Sequence, residues 1–473
     1  MPVKEMEIKR LYIAFRIHQL KSGKNMSVKT RKTCRVCESD KLIPILSLGE
    51  QFVTNFVDDP EGEYPKAPLK LVLCNVKDGG CGLLQLQDTV ERDVMYRKYW
   101  YKSGISSTMV KALADITDAA KRTVKLSTGN VVLDIGANDG TLLRQYKVPG
   151  LITVGFEPSN LWELAMKGNT KIINDYFNYN SFQEEFEKKK AKVITSISMF
   201  YDLEDPNSFV NDIKKCLDAN GVWIIQMNYL GLMVENNTFD NISHEHLEYY
   251  SLLSLSNLLD NHSLEIFDVE INDVNGGSFR IYVKHKGSNV EGLLGNEERL
   301  RKQKSYEENM GFDDVKIYEK FAKQIEESKK ELMTFLHKEV KAGKKIFIYG
   351  ASTRGLVVLQ YFGIDNKLIS GAADMNPEKW GKYMVGTGIP IMSVEEYRKQ
   401  KPDYLLVLPY HFLGEIKEQE KEFLENHGKM IVAIPKFKVI SNNAQIGNKV
   451  SNHKYNTITL SSKQELRFTW FLR

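Results

Sequence analysis

Apolar and polar positions along this chain repeat a strand–turn–helix cadence twice. Val131–Leu133 is a short continuous apolar run, closed by Asp134 and a glycine turn and followed by the helix-like TLLRQY. Such runs between turn signals read as strands buried on both faces. ITVGFEP, KIIN, VITSISMF and GVWIIQMNYL continue the series. The same cadence returns in KKIFIYGASTRGLVVLQYFG, with ADMNPEKW and DYLLVLPY behind it. Between the two lies a charged, breaker-poor stretch from Glu297 to about Lys341, which reads as a helical connector. Ahead of both, SLGEQFVTNF and KLVLC look like strands of a small module, and MYRKYWYKSGISSTM follows. A helix there would put Tyr96 and Tyr99 on one face. The pattern predicts an α/β protein: a tail over 1–30, a small module over 31–90, a doubly wound domain over 91–286 with a tyrosine-rich lead, a second α/β domain over 287–440, and a tail over 441–473.

Length agrees, since 473 residues correspond to roughly three domains of ~150 residues. The charge changes the picture by exclusion. Lys and Arg total 65 against 61 Asp and Glu, so no strong field for nucleic acid or a membrane surface is expected. No apolar run reaches the ~18 residues that span a bilayer. The N-terminus lacks a signal-peptide core, which makes the expected location cytoplasmic. Met26 is an alternative start, and neither tail is given a function.

The five cysteines add chemistry. Cys34 and Cys37 form C-x2-C; Cys74 and Cys81 form a looser pair containing Gly79 and Gly80. Two such loops can aim four thiolates at one point, the closed set that structural zinc prefers. Chance grouping of buried thiols is the alternative. Cys216 reads as an ordinary buried residue.

The turn after the first strand is DIGANDG. The dinucleotide pattern G-x-G-x-x-G fails at Asn138 and Thr141. Asp134, Gly136, Asn138, Asp139 and Gly140 instead match the turn of class I S-adenosylmethionine (SAM) methyltransferases. Glu157 ends the second strand, where an acid can accept from both ribose hydroxyls. Asp175 follows the third strand and could meet the adenine amine. Ser198 lies in the fourth strand's exit, where sulfonium and substrate would meet. A Rossmann-like fold that binds nothing there is the alternative.

His244-Glu245-His246 is not the H-E-x-x-H zinc pattern. It reads equally as a packed loop or as an acid/base group. The tyrosines read as a domain anchor or as phenols lining a polar pocket. In the second domain, Gly350 and Gly355 flank a turn and Asp374 ends the next strand, a mononucleotide layout that also admits NAD. No Lys-Ser/Thr follows, so it is not a Walker A loop.

Taken together, the four cysteines, the segment ending Ser103-Gly104, DIGANDG, FYDLEDP, FDNISHEHLEYYSL and NGGSFR resemble the nucleotide-sugar C-methyltransferases of deoxysugar biosynthesis. The resemblance runs from about Thr33 to Lys438. It implies a SAM methyltransferase domain flanked by a zinc module and a C-terminal Rossmann-like domain that rests the nucleotide half of the donor. It implies His246 as base with Glu245 assisting, and brings His244, Tyr96 and Tyr99 into the catalytic group. Ser243 stands where some members carry a tyrosine. Substrate contacts are expected from Tyr101, Ser103, Asn275, Gly276, Gly350, Ser352, Arg354, Gly355, Asp374, Lys379 and His411. The implied substrate is an NDP-4-keto-6-deoxyhexose, methylated at C3 through an enolate. O- or N-methylation of such a sugar, a nicotinamide-dependent oxidoreductase and a non-catalytic zinc protein are the alternatives. Nothing in the sequence sets an oligomeric state.

Overall fold

The computed structural model describes residues 26–442. The N-terminal amphipathic stretch and the stretch from 443 onward lie outside the described residues, so most of both expected tails does too.

The strand Val131–Ile135 is buried at every position, as a strand covered by layers on both faces must be. It pairs in parallel with Ile152–Phe156 and with Ala191–Ile197. Lys171–Ile173 and Leu217–Asn228 extend the sheet on either side. Ser278–His285 enters antiparallel between Leu217–Asn228 and Leu264–Asn272. Counting strands along the chain within this seven-stranded sheet, the order across it is 3-2-1-4-5-7-6. This is the class I methyltransferase sheet. Its order reverses beside the first strand, and the crevice at the carboxyl ends there is where such sheets bind ligands.

The helix expected after DIGANDG is only a single 3₁₀ turn, Leu143–Gln145; Pro149 and Gly150 soon end any continuation. The expected helical connector is two helices, Asn296–Met310 and Val315–Lys341. The second buries Tyr318, Phe321, Ile325, Leu332 and Leu336 along one stripe, each worth ~1.5–3 kcal/mol on burial. The tyrosine helix is shorter than its pattern suggested. It spans Arg92–Tyr96, so Tyr99 lies beyond it and does not share a helical face with Tyr96.

The C-terminal domain has a parallel core of Ile389–Met392, Gly371–Ala373, Ile346–Tyr349, Tyr404–Val407 and Lys429–Val432. Its chain order is 3-2-1-4-5 across the sheet.

The small module joins both domains through strands. Its antiparallel pair Leu42–Phe52 and Lys66–Cys74 is extended by Leu84–Leu86. Glu248–Tyr249, just after the His-Glu-His segment, pairs with Leu84 and Gln85. Phe56–Val57 pairs with Tyr383–Met384 at the edge of the C-terminal sheet. Val28–Thr30, within the segment read as tail, pairs with Asp88–Val90. Among the described residues no helix is long and apolar enough to cross a membrane.

Candidate active site

Four cysteines from two loops meet first. Their Sγ atoms all lie within 4.8 Å of one another, with Cys34–Cys81 and Cys37–Cys74 at 3.5 Å. Tetrahedral Zn–S bonds of ~2.3 Å place sulfurs ~3.8 Å apart, so the set fits zinc. The loops leave room only for backbone: a Cβ on Gly80 would sit 2.6 Å from Cys74 Sγ. Amide hydrogens of Val36 and Cys81 point at Cys34 and Cys74 sulfurs at 3.4 Å each, which favours thiolates. Zinc is the structural metal of this chain. Three of the ligands, Cys34, Cys74 and Cys81, are buried in one apolar cluster with Phe209, Leu252 and Trp223 of the central domain.

The cofactor crevice forms around DIGANDG. Gly136, Asn138 and Gly140 have φ of 74°, 53° and 76°, the left-handed region that glycine and asparagine tolerate. A Cβ on Gly140 would lie 2.7 Å from the Ala165 carbonyl. Glu157, 5% exposed, accepts from the Asn138 and Ser159 amides at 2.7 and 2.8 Å. Burial raises its carboxyl despite those bonds. Asp134 accepts from Thr195 Oγ1 at 2.6 Å and is pushed up to about 7 by burial. Asp175 stands exposed at the end of the third strand, accepting from the Tyr176 amide at 2.8 Å. These residues share the carboxyl ends of adjacent strands and fit SAM, the methyl donor.

The segment after the tyrosines closes on this turn. Asn138 Oδ1 accepts from the Ser103 amide at 2.9 Å, and Asn138 Nδ2 donates to the Tyr101 carbonyl at 3.0 Å. The Gly104 amide donates to Asp139 Oδ2 at 2.8 Å. The Ser103 amide and the Tyr101 carbonyl thus meet the cofactor turn.

The three residues of the His-Glu-His segment part ways. His244 Nε2 lies 3.0 Å from the Ala67 carbonyl of the zinc module. Glu245 is buried and pushed up to about 7 by that burial, with Asn55 bonding its carboxyl. Tyr96 donates to the Glu245 carbonyl at 2.6 Å. His246 donates from Nδ1 to the Asn241 carbonyl at 2.7 Å, because a carbonyl can only accept. Nε2 is left with its lone pair. Burial pulls this ring down to about 4, so it is neutral near pH 7. The Tyr201 ring packs on it edge-on with centroids 4.4 Å apart. Burial raises the Tyr96 and Tyr99 hydroxyls well above their ordinary value, and Asp202 and Glu245 add to it. Asp202 is itself raised well above the carboxylate range by burial, and its Oδ1 is buried without a hydrogen-bond partner.

The turn between the last two strands of the central sheet and residues of the C-terminal domain complete this wall. Asn275, at φ 55°, donates to Ser198 Oγ at 3.1 Å. The neighbouring Gly276 admits the Tyr410 hydroxyl, which a Cβ would meet at 2.8 Å. Arg354 reaches Asp240, the Asn275 carbonyl and Tyr410. In the second glycine turn, Gly350 packs against Pro409, 2.6 Å from a would-be Cβ. Ser352 caps the helix Thr353–Phe362 by accepting from the Gly355 amide at 3.0 Å. Asp374 pairs with Lys379 at 3.0 Å, and Lys379 also donates to the Ala351 carbonyl at 2.8 Å. His411 keeps a buried Nδ1 without a partner and is pulled down to about 3 by burial.

Sequence reasoning missed Asp202, Asp240, Asn241 and Tyr410 as site residues. The first three sit inside FYDLEDP and FDNISHEH, so those runs were a signal; their pairing across domains was not.

Three family descriptions match in sequence along the chain: a zinc binding domain over 34–96, a methyltransferase domain over 107–269 and a C-methyltransferase C-terminal domain over 273–435. The chain is 30% identical over 413 residues to the C-methyltransferase NovU of Streptomyces niveus, covering 86% of this chain and 96% of that one. Solved structures with a related path include a SAM-dependent methyltransferase from Clostridium acetobutylicum ATCC 824, at TM-score 0.30 and 15% identity, covering 38% of this chain and 92% of that one. Another is the plantazolicin methyltransferase BpumL in complex with SAH, at TM-score 0.31 and 14% identity, covering 39% and 87%. At these scores neither bears on function.

Proposed function

The chain belongs to the SAM-dependent C-methyltransferase family that joins a zinc-binding domain, a methyltransferase domain and a C-terminal C-methyltransferase domain, and from that premise we propose that it methylates carbon 3 of a nucleotide-linked 4-keto-6-deoxyhexose. The observation that supports this most is the state of His246. Its Nδ1 proton is held by the Asn241 carbonyl, which leaves Nε2 unprotonated on a ring that lines a small cavity with Tyr201 and Asn241.

The keto group at C4 acidifies the proton on C3. His246 Nε2 removes it, and the electrons move into the carbonyl to give an enolate. The Tyr99 hydroxyl, which burial keeps neutral, supplies a donor for the enolate oxygen, while the Tyr96 hydroxyl is engaged on the Glu245 carbonyl and holds that segment in place. Glu245, near half-protonated at neutral pH, assists the proton's passage. SAM, when bound, supplies an electrophilic methyl group. Glu157 and the DIGANDG backbone orient that cofactor at the strand ends, so C3 is held for in-line attack. The C-terminal domain takes the nucleotide half along the turn at Gly350–Gly355, with Asp374 at the ribose position of its second strand.

His246→Asn tests this. Turnover should fall ~100-fold or more, the usual range for a general base, with SAM and nucleotide-sugar affinity nearly intact. Exchange of the C3 proton with deuterated solvent in the absence of SAM should stop. Exchange at the wild-type rate would remove His246 as the base. A product whose methyl sits on oxygen or nitrogen by NMR would overturn the carbon acceptor.

A further inference from the structure

Two buried charges lie beside His246 with no part in the proton transfer above. Asp240, 2% exposed, belongs to the turn Phe239–Asn241 of the central domain. Arg354 opens the helix Thr353–Phe362 of the C-terminal domain. Arg354 Nε donates to Asp240 Oδ2 at 2.9 Å, and Nη2 lies 2.7 Å from the same oxygen. Nη1 donates to the Asn275 carbonyl at 2.8 Å and Nη2 to the Tyr410 hydroxyl at 3.0 Å. The guanidinium therefore reaches three separated acceptors, as its fork shape allows and an ammonium does not.

The residue after Asp240 is Asn241, whose carbonyl accepts His246 Nδ1–H at 2.7 Å. The Asn241 side chain is fastened within its own turn, donating to the Thr238 carbonyl and hydroxyl at 3.1 and 3.2 Å. The Asp240–Arg354 pair is the charged link between this turn and the opposite domain, beside the apolar packing of Phe239 on Phe362, centroids 5.4 Å apart.

We propose that Arg354 is a positioning residue for His246: by gripping Asp240 it fixes the Asn241 carbonyl that keeps the imidazole proton on Nδ1 and leaves Nε2 free. The ring's tautomer is set by the bond its other nitrogen makes. A turn that drifts by about an ångström loses that bond, and the proton redistributes between the two nitrogens. The base is then in working order only when the C-terminal domain is docked. This rests on reading His246 as the base, although the tautomer can be measured without turnover.

The test uses the full-length, zinc-loaded protein with nitrogen-labelled histidine. His246→Asn assigns the His246 signals. Wild type should show the Nδ1-protonated tautomer. Arg354→Met should show a mixture, and Arg354→Lys a partial return. Turnover of Arg354→Met should fall ~10- to 100-fold, the scale found when a partner that orients a functional histidine is lost, with KM for the nucleotide sugar within about twofold. Asp240→Asn combined with Arg354→Met leaves no unpaired buried charge and should give the same mixture if the single change fails to fold. An unchanged Nδ1 tautomer in either variant overturns the proposal. So does a KM raised ~10-fold or more at unchanged kcat, which would make Arg354 a substrate ligand. Should His246→Asn retain turnover, the base reading fails while the tautomer result stands by itself.

Discussion

The molecule builds a strand, a glycine turn and an acid at the end of the next strand twice, and the two copies end up chemically unlike. In the central domain, the partners of Glu157 are uncharged, the Asn138 and Ser159 amides and the Ser159 side chain, so its carboxylate carries no ion pair. In the C-terminal domain, Asp374 is neutralised by Lys379. The first turn is clamped from outside by Ser103 and Gly104; the second is closed from within, with Gly350 against Pro409 and Ser352 capping the helix. A shared backbone motif thus carries two acids in unlike surroundings, one with uncharged partners and one paired to a lysine.

Removing zinc should have the largest effect and should strike the two domains unequally. Three zinc cysteines belong to the core that the module shares with the central sheet, whereas its strand residues Leu48, Leu71 and Leu84, away from the metal, share a core with the C-terminal domain. Chelation should lower the melting temperature by roughly 10 °C or more, since structural zinc is part of the folding free energy. Titration should then show SAM affinity falling further than nucleotide affinity. Equal loss would mean the module supports both turns alike.

Swapping the acids tests the comparison directly. Glu157→Ala should weaken SAM binding by ~10-fold or more, two hydrogen bonds at ~1 kcal/mol each. Asp374→Asn should leave SAM affinity within about twofold and raise KM for the nucleotide sugar. Calorimetry and steady-state kinetics read the two effects, and crossed results would exchange the ligands of the two turns.

Gly104→Ala probes the outside clamp. Its Cβ would fall 2.8 Å from Asp139 Oδ2, so the segment must back away from the cofactor turn. A loss of SAM affinity of ~3- to 10-fold is expected, about 1 kcal/mol for one hydrogen bond. Gly49→Ala is a poor control because its φ of 76° strains any side chain; Gly414→Ala, with open space at its Cβ, should leave SAM affinity unchanged.

The smallest effect is on pH. His246 is depressed to about 4 by burial, so it is neutral above that value and ready to take a proton. Turnover should therefore lack a histidine limb near the ordinary 6.5 as pH falls from 8 to about 5. A limb near 7 that vanishes in Glu245→Gln belongs to Glu245, which burial raises to about 7. A limb that survives in that variant would mean His246 is solvated.

The elements were legible because their signals are local. Short continuous apolar runs between turn signals read as strands covered on both faces. Gly136 and Gly140 were readable because the turn needs left-handed backbone, and the cysteine spacing because thiolates must converge. Local pattern misjudged length where a neighbour intervenes: the tyrosine helix stops at Tyr96, and the helix after Gly140 shrinks to one 3₁₀ turn.

What the chain by itself determined is the identity and order of its parts: the zinc loops, the SAM turn, the His-Glu-His segment and a second nucleotide-type turn. Only the tertiary structure decided what each side chain faces. It set His244 on the zinc module and His246 on Asn241, although only Glu245 separates them. It also sent Arg354 across a domain boundary to Asp240, 114 residues away. Periodicity encodes which face of an element is apolar; it carries no record of which polar group from a distant segment will lie opposite. That depends on how the modules dock, and here they dock by lending strands to one another's sheets.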